Sequence, residues 1–138
     1  METATDILYG AGNGRLSTDA EPLGKNPGLY MTFSMSSQEM KIITRALRCQ
    51  FDDSSEPSTL AAIRLYLHTQ HGFSDLSTGE TVEDQKLLEA SEITKLELSV
   101  EQWRSLKKLL AATLSDSVHI KYIGGKQKIK QLLGTLNP

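Results

Sequence analysis

Apolar positions along this chain change period several times, and each change marks an element. From Leu29, the run Tyr30-Met31-Thr32-Phe33-Ser34-Met35 mixes aromatic and β-favouring residues with partial alternation, which predicts a strand over 29–35. Ser36 then opens a helical period through Met40, Ile43, Leu47 and Phe51, with Ser36 and Glu39 spaced as a capping box, so a helix is expected over 37–51. Turn formers and a proline, Asp52 to Pro57, break it. Leu60, Ile63 and Leu67 predict a second amphipathic helix ending near Gly72, and Phe73 to Glu80 reads as loop. Thr81 with Asp84 caps a short polar helix through Leu87 and Leu88.

The opening grammar then returns. Lys95-Leu96-Glu97-Leu98 alternates as a strand, and Ser99-Val100-Glu101-Gln102 is again a capping box, leading into Trp103, Leu106, Leu110 and Leu114 on one face. Phe33 to Met40 can be set beside Leu96 to Trp103, with one residue of slippage in the strand. The likeness is expected to be the common way of starting a helix after a strand rather than a duplication. Val118-His119-Ile120-Lys121-Tyr122-Ile123 alternates cleanly and predicts a third strand, with Val118, Ile120 and Tyr122 on one face. After Gly124-Gly125, Ile129, Leu132, Leu133 and Leu136 predict a helix over 126–136. The expected fold is therefore α+β: about three strands covered by about five helices, with two strand-to-helix units and an αα hairpin between them.

Residues 1–28 do not fit this rhythm. They hold Gly10, Gly12, Gly14, Gly24 and Gly28 with Pro22 and Pro27, and read as a flexible arm ahead of a single domain over 29–138. Ile7-Leu8-Tyr9 is its one apolar piece. Gly10-Ala11-Gly12-Asn13-Gly14-Arg15 has the wrong spacing for a dinucleotide loop, and the prolines oppose the helix such a loop needs.

Charge changes the picture more than composition does. Residues 1–100 carry 8 Lys plus Arg against 15 Asp plus Glu; residues 101–138 carry 7 against 2. The net charge of −2 over 138 residues thus conceals a basic C-terminal segment suited to an anionic ligand, a phosphate backbone or an acidic protein surface. Cys49 is the only cysteine, so no intramolecular disulfide forms, and its apolar neighbourhood predicts a packed thiol rather than a reactive one. Acidic residues after Met1 and the lack of an 18-residue apolar run lead to the expectation of a cytoplasmic protein without membrane association.

The one pattern with chemical content is strand, Gly124-Gly125-Lys126, helix. A helix start offers unpaired N–H groups and partial positive charge, glycines admit close approach, and Lys121, Lys126 and Lys128 add full charges. The expected ligand site is therefore Lys121, Gly124, Gly125, Lys126 and Lys128, taking a phosphate-bearing small molecule. Gln127 stands where a Walker-type loop has its metal-binding hydroxyl, so nucleotide hydrolysis is not expected. No nucleophile elbow, tuned carboxylate pair or metal-ligand spacing occurs; His68 and His71 form an i, i+3 pair at a helix end, without further ligands at a recognised spacing. A non-catalytic binding protein without cofactor or metal is the expectation.

Two other readings stand beside it. Complementary charged faces suit a protein-binding regulator or inhibitor, or a homo-oligomer, with Tyr9, Tyr30 and Phe73 as candidate anchors and Trp103 as core. Lys107, Lys108, Lys121, Lys126, Lys128 and Lys130, with Tyr122 as a stacking face, suit nucleic acid; a single arginine in the segment and no recognisable binding motif speak against it.

Overall fold

The structure, a computed structural model, describes residues 29–49, 57–90 and 92–137. The expected arm over 1–28, its Ile7–Tyr9 and glycine-rich pieces, Phe51 and the break over 52–56 lie outside these residues. The chain is α+β: β1 (Tyr30–Met35), α1 (Ser37–Arg48), α2 (Pro57–His71), α3 (Val82–Glu89), β2 (Thr94–Ser99), α4 (Val100–Thr113), α5 (Ile120–Ile123) and α6 (Lys126–Thr135). The strands form one antiparallel pair with Thr32 opposite Glu97 and Ser34 opposite Lys95. Among the described residues, no helix is long and apolar enough to cross a membrane.

Both strand-to-helix units form for the reason their sequences imply. Ser36 Oγ accepts the Glu39 N–H at 3.2 Å while Glu39 Oε1 accepts the Ser36 N–H at 2.8 Å. Ser99 and Gln102 repeat this at 3.0 and 2.9 Å. Each box satisfies donors that a helix start would otherwise leave open.

The expected slippage is absent. A constant offset of 63 residues carries Ser36 onto Ser99 and takes the buried Met35, Met40, Ile43, Ala46 and Leu47 onto the buried Leu98, Trp103, Leu106, Leu109 and Leu110. The likeness also extends past shared capping grammar. The central helices α1 and α4 pack on each other; α1 also carries α3 and α5, and α4 carries α6 and α2. Exchanging β1-α1-α2-α3 for β2-α4-α5-α6 therefore maps the principal packing pairs onto one another. The two helices between the units each find a different central helix.

Between them lies one apolar core in which Met35, Ile43, Leu67, Leu106, Leu110 and Ile129 are wholly buried. Trp103, equally buried, donates from Nε1 to the Met31 carbonyl at 2.9 Å and meets Phe33 edge-on at 4.8 Å. Its polar edge is thus satisfied at the sheet while its ring fills the core. Cys49 and Phe73 are buried as well.

The third strand does not form. Asp116 Oδ1 accepts the Val118 and His119 N–H groups, both at 2.9 Å, and its carbonyl accepts the Ile120 N–H at 3.2 Å. This side-chain-to-backbone pattern starts a turn and favours helical geometry over extended chain. The burial agrees: Ile123 is wholly buried while Val118 is 79% exposed and Tyr122 is exposed as well, so the buried side is not the Val118, Ile120 and Tyr122 face that alternation implied.

Candidate functional site

The expected site residues come together at the corner where α5 meets α6. Gly124 and Gly125 take φ of 155° and 92°, values that L side chains rarely adopt. A Cβ on Gly124 would lie 2.9 Å from Ile42 Cγ1, so any larger residue there would force Ile42 or α5 to shift. The Gly124 and Gly125 N–H groups donate to the Ile120 carbonyl at 3.2 and 2.9 Å and close α5. Gly125, one of the expected ligand-binding residues, thereby has its amide engaged.

That leaves the first turn of α6. Gly125 is its N-cap and supplies no side-chain cap, the turn contains no acidic residue, and the first backbone bond runs from the Ile129 N–H to the Gly125 carbonyl at 3.1 Å. The N–H groups of Lys126, Gln127 and Lys128 precede that bond and have no acceptor within the helix. Lys121, Lys126 and Lys128 all present exposed side chains at this corner. Lys128 and Gln131 also border an open groove of about 370 Å³, whose other wall is the start of α1 at Gln38, Glu39 and Ile42.

The helix in the corresponding place of the other half is built the opposite way. α3 is capped by Thr81, and Asp84, three residues on, accepts the Thr81 N–H at 2.9 Å and the Ser74 N–H at 2.8 Å. Asp84 Oδ2 also takes the Ser74 hydroxyl and Arg48 Nη2, the latter at 2.9 Å. Burial pushes this carboxyl's pKa up, but the hydrogen bonds from Ser74 and Thr81 outweigh it and hold the group at about 2. The first turn of α3 is occupied by an anion of its own.

Arg48 and Arg45, which sequence reasoning passed over, fasten the loops to α1. Arg48 Nη1 donates to the carbonyls of Asp75, Thr78 and Gly79 at 3.2, 2.8 and 3.2 Å, while its Nε is buried without a partner. Arg45 binds Glu80 through two parallel bonds of 2.9 and 3.0 Å, donates to the Tyr122 carbonyl at 3.0 Å and stacks 4.7 Å above the Tyr122 ring. The ring expected to face nucleobases is therefore covered on one side. The only sequence signal was two arginines three apart beside an apolar stripe, with partners 26 to 77 residues away.

The two helix-end histidines take structural partners. His68 Nδ1 lies 2.7 Å from the Phe73 carbonyl and His71 Nε2 lies 3.1 Å from the Tyr66 hydroxyl, so the pair diverges; burial lowers the His71 pKa. Among the described residues, no three His, Cys, Asp or Glu side chains are grouped to hold a metal ion. Burial raises the Cys49 thiol pKa, which works against a reactive thiolate. Comparison of the chain with protein-family models, curated proteins and solved structures found no match.

Proposed function

We propose that the protein is a non-catalytic binding protein for an anionic, phosphate-bearing small ligand taken at the start of α6. The observation that carries this reading is the difference between corresponding helices. At α3 the third helical position is Asp84, whose charge meets backbone donors; at α6 the same position is Lys128, the cap is Gly125, and no carboxylate stands in the first turn. Helix starts favour negative charge and disfavour added cations, so lysines there are compatible with a ligand that brings the anion. The ligand's phosphate would accept from the Lys126, Gln127 and Lys128 amides, with Lys121, Lys126 and Lys128 supplying charge. Gly124 and Gly125 shape the corner, their N–H groups being engaged by the Ile120 carbonyl rather than by the ligand.

A thermal-shift series with inorganic phosphate, nucleotides, sugar phosphates and short oligonucleotides tests this, with Lys126→Ala alongside. A ligand at 100 times its dissociation constant stabilises the folded state by about 2.7 kcal/mol. The expected result is a shift with a phosphate-bearing small molecule that shrinks in the variant. A shift with oligonucleotides alone would favour nucleic acid, and no shift with any anion would leave the basic surface to an acidic protein partner.

A further inference from the structure

The sheet has two outer edges, and they are built differently. On β2 the Glu97 N–H donates to the Tyr66 hydroxyl at 3.0 Å and the Ser99 N–H to Gln102 Oε1 at 2.9 Å, while beyond β1 the Ser36 N–H donates to Glu39 Oε1. These bonds leave the ladder and fix its phase, because backbone groups alternate in direction along a strand. Thr32 and Ser34, opposite Glu97 and Lys95, therefore turn their N–H and C=O groups away from β2. Among the described residues, nothing satisfies them.

Side chains sharpen the contrast. The β2 edge has Tyr66 over it and carries the exposed charges of Lys95 and Glu97, both devices that discourage strand addition. From Leu29 to Met35 there is no charge at all. On the inner face, Leu96 and Leu98 of β2 are each 1% exposed, whereas Met31 and Phe33 are only half-buried and Leu29, at the strand's start, is 54% exposed. The open edge thus has an incompletely covered apolar shelf beneath it.

We infer that β1 pairs antiparallel with β1 of a second copy of this chain, about a two-fold axis at Thr32, to make a four-stranded sheet. An identical strand answers every feature of the edge at once. Thr32 meets Thr32 and exchanges two backbone bonds, Met31 faces Phe33 of the second copy on the inner side, and Ser34 lies across from Tyr30. Threonine pairs and apolar pairs of this kind favour a sheet, and no like charges are opposed. The net charge of only −2 adds little repulsion between copies. A two-fold contact also consumes both open edges, so association stops at two.

Sedimentation velocity of the full chain over a dilution series tests this, with Thr32→Lys and Thr32→Val. The expected result is a wild-type species of twice the 15.2 kDa chain mass that dissociates on dilution, the same species for Thr32→Val, and the single-chain mass for Thr32→Lys, which opposes two cations on the axis. Matching far-ultraviolet circular dichroism establishes that the lysine variant is folded. Amide exchange on the wild type gives an independent readout: Thr32 and Ser34 exchange more slowly as concentration rises. A wild type that stays at the single-chain mass, a Thr32→Lys variant that associates as the wild type does, or amides indifferent to concentration would each overturn the inference.

Discussion

Helices α3 and α6 hold corresponding places in the two halves, each packed on its own central helix, yet one begins on a buried carboxylate and the other on glycine and lysine. The difference shows what a helix start requires. In α3 the backbone donors, Ser74 and Arg48 converge on Asp84, and the loop before the helix becomes part of the core. In α6 the donors face outward and the helix is held by its apolar side alone, through Ile129 and Leu132. One half has used its helix start for stability; we read the other as having kept it for a ligand.

The largest test of that contrast lies on the α3 side. Arg48→Ala leaves the Asp84 charge buried without its cation, and is expected to lower stability by about 3 kcal/mol in urea denaturation. The same network sets an acid limit. Because the folded-state pKa of Asp84 lies below its ordinary 3.8, its contribution is complete above that value and is lost as pH falls toward about 2. Asp84→Asn should flatten this part of the stability profile.

Next comes the corner on the α6 side. Gly124→Ala meets both an unfavourable φ and the Ile42 side chain and is expected to cost about 2 to 3 kcal/mol; Gly125→Ala, where no atom lies within 4 Å of a new Cβ, should cost about 1 to 2 kcal/mol. Equal losses would mean that close packing of α5 on α1 does not matter. A smaller effect tests the equivalence of the halves themselves: Ser36→Ala and Ser99→Ala each remove one capping box and should each cost about 1 kcal/mol. A marked inequality in chemical denaturation would break the correspondence.

What was legible in the sequence was local. Both strands, the capping boxes at Ser36 and Ser99, the Thr81 cap and the glycine corner follow from residues within a turn of one another. The segment over 118–123 misled because Val118, Ile120 and Tyr122 alternate as a strand would; the carboxylate of Asp116, which accepts the Val118 and His119 N–H groups, starts a turn instead. The Arg45 and Arg48 networks join residues far apart in the chain, and no periodicity announces them. The correspondence of α3 with α6 was equally hidden, since it appears only when each helix is seen on its central partner.

The smallest change in stability carries the most direct test. Lys128→Glu places at the third position of α6 the kind of side chain that Asp84 provides in α3. It should stabilise the unliganded protein by about 0.3 to 1 kcal/mol. Melting temperatures of wild type and Lys128→Glu, measured with and without the phosphate-bearing ligand, compare the two starts within one molecule. The expected result is a higher melting point without ligand and loss of the ligand-induced shift in the variant. A ligand-induced shift that survives unchanged in Lys128→Glu, or is absent from the wild type, would contradict it.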